Sequence, residues 1–291
     1  MTDMDPTSGP TNPGRQAPTT ITPSPQDAYP PAQIARLVEQ VGVKKATLPV
    51  TQTIALGLLA GAFIAFGAMY ATLAMAGSGL GFGPSRMLAG LAFSLGLILV
   101  VVGGAELFTG NNLIVMAWAD RKITTVQLAR NWTLVYLANL AGAVGSALLV
   151  HWSGTLGLGD GEVGTSAIRI GETKAALGFG EAFFRGVLCN TLVCLAVWLC
   201  FAAHDVAGKI LAIVFPISAF VALGFEHSIA NMYLIPIAML AGAEITMAAF
   251  LGNLLPVTLG NVVGGGVFVA AIYWLVYLYP GDRPATRPED G

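Results

Sequence analysis

The chain of 291 residues is 55% hydrophobic and 10% charged, with 36 glycines and a mean hydropathy of +0.72. Such a composition excludes an ordinary water-soluble globular domain and identifies an integral membrane protein. A formal net charge of -2 without any basic run excludes a nucleic-acid-binding surface.

Residues 1–32, MTDMDPTSGPTNPGRQAPTTITPSPQDAYPPA, are rich in Pro, Thr, Ser and Gly and nearly devoid of aliphatic side chains, so they cannot bury a core and are expected to be disordered. They hold no charged n-region followed by an apolar h-region, so a cleaved signal peptide is not expected. Residues 33–47 follow as an amphipathic helix with Ile34, Leu37, Val38 and Val41 on one side, expected to lie at the membrane surface. Residues 48–279 are the transmembrane domain, and residues 280–291 form a short polar tail.

Within that domain six apolar blocks reach spanning length, near 48–76, 86–118, 127–152, 175–203, 207–242 and 250–279. The second and fifth exceed thirty residues and are interrupted by the polar clusters AELFTGNN (105–112) and FEHSIAN (225–231), which predict broken helices. An even number of spans puts both ends on one side. Ten Lys and Arg residues lie on that side against four on the other, Arg86, Arg169, Lys174 and Arg185. The excess predicts cytoplasmic termini and a multi-pass protein of a bacterial cytoplasmic (inner) membrane.

A shift of 120 residues superposes Ala62 and Phe63 on Ala182 and Phe183, Gly104 on Gly224, Glu106 on Glu226, and Asn111 on Asn231. A shift of 122 matches Asn131 with Asn253 and Asn139 with Asn261. The halves 48–152 and 175–279 therefore read as one three-helix unit used twice. An odd number of spans per unit inverts the second copy, so the two breaks meet near the midplane.

Unwound backbone at membrane depth survives only where protein or a wet cavity satisfies its amides and carbonyls. Thr109, Ser228, Asn111 and Asn231 are expected to cap the half-helices after the breaks, whose positive dipole ends favour anions. Glu106 and Glu226 are expected to support the breaks by accepting orphan amides. His227 has Leu107 in its place in the first half, and a residue present in only one half is a better candidate for chemistry than a symmetric one. A titratable group inside a bilayer is costly and usually functional, and histidine changes charge near neutral pH. Cys189, Cys194 and Cys200 share one apolar segment without metal-ligand spacing and read as packing residues; no metal, cofactor or enzymatic centre is expected.

The strings GGAELFTGNN (103–112), RNWTLVYLANLAGAVG (130–145), GVLCNTLVCLAVW (186–198), GFEHSIANMYLIPIAM (224–239) and NLLPVTLGNVVGGG (253–266) resemble the formate/nitrite transporter family, most closely its formate channels. The likeness runs from about residue 33 to residue 279 and omits the proline-rich leader. It implies an all-α, aquaporin-like protomer of six transmembrane helices, a homopentamer with one pore per subunit, and passage of small monovalent anions such as formate or nitrite, with acetate and hydrosulfide as further candidates. Carried over residue by residue, it implies a pore centre at Leu107, Phe108 and Thr109 with Thr109 facing His227. It places constrictions at Phe93 and Phe220 toward the outside and at Leu97 and Phe108 toward the cytoplasm. Lys174, Asn190 and Asn261 become polar pore-lining residues. The cost of moving a bare carboxylate past apolar rings makes His227, oriented by Thr109 and Asn190, the expected proton donor. Only about ten residues separate the fifth and sixth blocks, fewer than in formate channels, which bears on the shape of the outer vestibule.

Two readings from other classes compete. An intramembrane enzyme would use Glu106, Glu226 and His227, but the chain has neither HExxH nor GxSxG. A neutral-solute channel fits the inverted repeat, yet the breaks read TGNN and SIAN, without the Asn-Pro-Ala of aquaporins.

Overall fold

Helix α1 (Pro31–Ala46) opens with Pro31 at its first position behind an extended Pro30 and closes with Lys44 and Lys45 in its last turn, both favourable for a helix terminus. The computed structural model to which it belongs describes residues 27–279; the leader before residue 27 and the tail 280–291 lie outside the described residues. α1 does not lie free at a membrane surface. It buries Ile34, Ala35, Val38, Glu39, Gly42 and Ala46 against the protein, where a Cβ on Gly42 would sit 3.3 Å from Ala117 Cβ. The small residues turn this face inward, so the buried stripe is rotated from the expected one and leaves Leu37 and Val41 half-buried. Lys122 pairs with the buried Glu39 and lies 3.2 Å from Asp120, pinning α1 to the chain beyond the first break.

The spans follow as α2 (Val50–Met75), the broken pair α3 (Phe82–Gly103) and α4 (Val115–Ala119, entered through a 3₁₀ turn at Gly110–Ile114), and α5 (Thr125–Trp152). α5 starts at a capping box between Thr124 and Gln127. The second half has α6 (Glu162–Ala175), α7 (Phe179–Ala202), the broken pair α8 (Val206–Ala222) and α9 (Ser228–Leu240), and α10 (Met247–Val262), which continues through a π-helical stretch into α11 (Ile272–Tyr277). Five stretches are long and apolar enough to cross a membrane unaided, namely α2, α3, α5, α7 and Met247–Tyr277. The sixth span is assembled from the shorter apolar α8 and α9. Every regular element among the described residues is helical.

Both breaks begin at a glycine with left-handed backbone, Gly104 at φ +81 and Gly224 at φ +74, a conformation that strains any residue carrying a Cβ. Each break is then held by the same set of bonds. In the first half Lys45 Nζ donates to Glu106 Oε1 at 2.6 Å, Asn111 Nδ2 to Glu106 Oε2 at 2.7 Å and Asn131 Oδ1 at 3.0 Å, and Asn131 Nδ2 to Lys45 O at 3.0 Å. In the second half Lys174 donates to Glu226 Oε1 at 2.8 Å, Asn231 to Glu226 Oε2 at 2.6 Å and Asn253 Oδ1 at 2.8 Å, and Asn253 to Lys174 O at 2.8 Å. Asn139 and Asn261 complete the pattern: each donates to two carbonyls (Gly57 and Glu106; Gly186 and Glu226) and accepts one break amide, Phe108 N or Ser228 N.

The repeat is thus longer than three helices. Lys45 matches Lys174 and Gly57 matches Gly186 at an offset of 129, which makes α1 the counterpart of α6, an element the hydropathy blocks do not show, and means that the match of Ala62 and Phe63 with Ala182 and Phe183 at an offset of 120 on the same two helices is a coincidence of composition. The carboxylates also do something other than expected: Glu106 and Glu226 accept from Lys and Asn side chains, and the half-helix amides are not among the donors they receive. A carboxylate buried at 5% or 3% exposure needs a cation more than it needs an amide dipole.

The halves close through small residues. A Cβ on Gly142 of α5 would fall 2.1 Å from Leu58 O of α2, and one on Gly264 would fall 2.2 Å from Val187 O of α7. Gly142→Leu is expected to lower the thermal midpoint of the detergent-solubilised protein sharply, whereas Gly145→Ala, with open space at its Cβ, leaves it unchanged. Lys174→Met, which strands the Glu226 carboxylate, is expected to cost about 3 kcal/mol, and Lys174→Met with Glu226→Gln to recover most of it. A double variant no more stable than Lys174→Met would show that the ion pair does not hold the break.

Candidate functional site

The chain leaves the second break through His227, the residue preceding α9, whose Nδ1 accepts a hydrogen bond from Ala230 N at 3.1 Å. The imidazole itself is the N-cap of α9. The expected hydroxyl and amide caps are absent: Ser228 is already inside the helix, and Thr109 makes no side-chain cap to the 3₁₀ turn that follows it. Thr109 Oγ1 is committed elsewhere, 2.9 Å from His227 Nε2. A nitrogen that accepts from an amide carries no proton, so the neutral ring holds its proton on Nε2, which donates to the threonine hydroxyl. One side chain therefore caps the second break and bonds to the first, at 2% exposure.

Two cavities flank this pair. The one on the α6 side, about 620 Å³, reaches His227 and the rings of Phe93 and Phe220. The one on the α1 side, about 560 Å³, reaches Leu97 and Leu107. Phe93 and Phe220 meet edge to face with centroids 5.4 Å apart, and Phe220 stacks along the imidazole at 5.9 Å, so aromatic surface closes the floor of the first vestibule. Arg86, Arg169, Lys174 and Arg185 line that vestibule with Glu162 and Glu226; Lys44, Lys45 and Lys209 line the other with Glu106. Each mouth thus carries two more cations than carboxylates, in a chain whose total is negative.

Several residues sit differently from what the resemblance implies. Phe108 lines neither cavity; its ring packs edge on against Trp132 at 6.0 Å and Tyr136 at 4.9 Å, facing α5. Its amide is held by Asn139, which turns the side chain outward, so Leu107 and Leu97 form the apolar floor on the α1 side. Asn190 and Asn261 are fully buried and line neither cavity. Asn190 Nδ2 donates to Thr109 O at 3.2 Å, Asn261 O at 2.7 Å and Asn112 Oδ1 at 2.7 Å, tying the two halves together away from both cavities. Lys174 does line its vestibule, already paired with Glu226.

Three residues escaped the sequence reading. Lys45 belongs to the first bracket, Asn112 receives Asn190, and Cys194 Sγ donates to Thr109 O at 3.4 Å. The second asparagine of TGNN was a visible signal for Asn112. No spacing marks Cys194.

A family model described as formate/nitrite transporter matches residues 32–275. The formate channel FocA of Escherichia coli (strain K12) is 39% identical over 280 residues, covering 89% of this chain and 98% of that protein. A probable formate transporter of Methanothermobacter thermautotrophicus is 42% identical over 271 residues, covering 85% and 97%. A solved pentameric formate channel with formate bound superposes with a TM-score of 0.74 at 39% identity, covering 79% of this chain and 98% of that one. The matched region includes both breaks, both brackets and the imidazole between them, and the chain belongs to the formate/nitrite transporter family of membrane channels and transporters.

Proposed function

We propose that this chain is a pH-dependent channel for small monovalent anions, formate first among them, that works as a homopentamer in a bacterial cytoplasmic membrane with both termini cytoplasmic. One observation carries the reading: two vestibules with excess positive charge converge on a single buried imidazole and hydroxyl behind apolar side chains. The formate channels among its relatives support formate as the cargo, and the pentameric neighbour supports the assembly. Nitrite, acetate or hydrosulfide would meet the same charges, because each is small and monovalent.

A bare carboxylate crossing an apolar constriction faces a desolvation cost on the order of tens of kcal/mol in the low-dielectric limit. Charges at the mouths concentrate the anion without removing that cost at the rings. Lys174 contributes less than a free ammonium would, since Glu226 already offsets it. Neutralising the anion by proton transfer removes the barrier at its source, and His227 is the group at the floor of the α6-side vestibule that can do so.

The cap specifies how. From the neutral ring, loss of the Nε2 proton would leave an imidazolate, so His227 donates only after Nδ1 has taken up a proton. That uptake releases Ala230 N, because two N–H groups cannot bond to each other. Proton delivery is thereby tied to a local change at the start of α9, and Thr109 and the anion compete for the same Nε2–H.

His227→Asn separates the two roles, since an asparagine oxygen caps a helix but does not titrate. In proteoliposomes the substituted channel is expected to keep its thermal stability and to lose the rise in formate uptake as pH falls from about 7 to about 5. His227→Ala is expected to lose about 1 kcal/mol of cap stability as well. Uptake by His227→Asn that follows pH as the parent does would refute the proton-donor role, and glycerol permeation without anion flux in the parent would favour a neutral-solute channel.

A further inference from the structure

The cations around the two vestibules are not equally engaged. Lys45 is spent on Glu106 and Asn111, Lys174 on Glu226, Arg86 on the carbonyls of Val221 and Ala222, and Arg185 on Glu181 and Gly224 O. Lys44 and Lys209 line the same α1-side cavity and Arg169 lines the α6-side one, and among the described residues the side-chain charge of none of these three has a hydrogen-bond or ion-pair partner. The one carboxylate in that lining, Glu106, is saturated by Lys45 and Asn111. Asp205, four residues before Lys209, is used as the N-cap of α8, accepting from Gly208 N at 2.7 Å. Lys209 stands near the start of α8, where the helix dipole disfavours a cation. Its carbonyl accepts from Cys200 Sγ at 3.6 Å, but its ammonium gains no ion pair in return for that position.

We infer that Lys44 and Lys209 form an anion-collecting site in the α1-side vestibule, separate from the lysines that hold the breaks, which raises the local concentration of a small carboxylate before it meets Leu97 and Leu107. The inference rests on the anion-channel reading and adds to it a subsite that acts by free charge. Two unpaired ammonium groups in a cavity of about 560 Å³ recruit by field, which selects for charge without selecting for shape.

The full-length protein in liposomes, with labelled formate well below saturation and equal pH on both sides, tests this. Lys44→Gln with Lys209→Gln is expected to lower formate permeability about three- to fivefold at ~10 mM ionic strength and hardly at all near 1 M, where the screening length shrinks to about 3 Å. With equal pH on both sides the dilute permeabilities in the two directions are equal, so the loss appears in both. Charge is separated from shape by Lys209→Cys, because the native cysteines are all buried. A methanethiosulfonate carrying an ammonium should restore flux in that variant, and one carrying a sulfonate should depress it further. If the parent conducts formate and the double variant matches it at low salt, or if both reagents act alike, the collecting site is refuted while the channel remains. If the parent carries no anion at all, the channel reading falls first.

Discussion

A single imidazole stands where the two halves of this protein meet. Through Nδ1 His227 caps α9 and through Nε2 it bonds Thr109 of the opposite break, so the ring satisfies main chain on one side and a hydroxyl on the other. Interrupting a helix inside a bilayer exposes polar groups that water cannot reach. The rest of the molecule reads as the means of making two such interruptions tolerable and bringing them within 2.9 Å of each other.

The Lys–Glu–Asn–Asn brackets do most of that work. Each spends a cation, a carboxylate and two amides on closing one break, and each draws its cation from an amphipathic helix outside the spans, α1 or α6. This explains why α1 is packed into the protein: it carries the lysine of the first bracket. It also divides the charges of the vestibules into those that hold structure and those without an internal partner, a distinction that lining residues alone do not reveal.

Much of this was legible in the sequence, for a physical reason. Spanning length and the polar interruptions are properties of local composition, so the spans and both breaks could be read directly, and the matched Glu106/Glu226 and Asn111/Asn231 followed from a constant offset. Lys45 was hidden because its offset is 129: α8 is shorter than α3 and the α7–α8 connection is shorter than the α2–α3 connection, so the register shifts before the breaks begin. α6 was hidden because EVGTSAIRIGETKA buries only a few small residues and never forms an apolar run. The caps were assigned to Thr109, Ser228, Asn111 and Asn231 by general preference, whereas the second break uses the histidine just before Ser228 and the first has no side-chain cap. Phe108 was placed in the pore by likeness, and the bond from its amide to Asn139 turns the ring to α5.

The central claim concerns where one proton sits. Nitrogen-15 NMR of histidine-labelled protein in bilayers reports the tautomer of each ring, and comparison with His227→Asn isolates the signal of His227 from those of His151 and His204. The account predicts a ring protonated on Nε2 at neutral pH, with Nδ1 bare and hydrogen-bonded. A ring protonated on Nδ1 would contradict it, because that nitrogen could not cap α9 and the bond to Thr109 would run the other way.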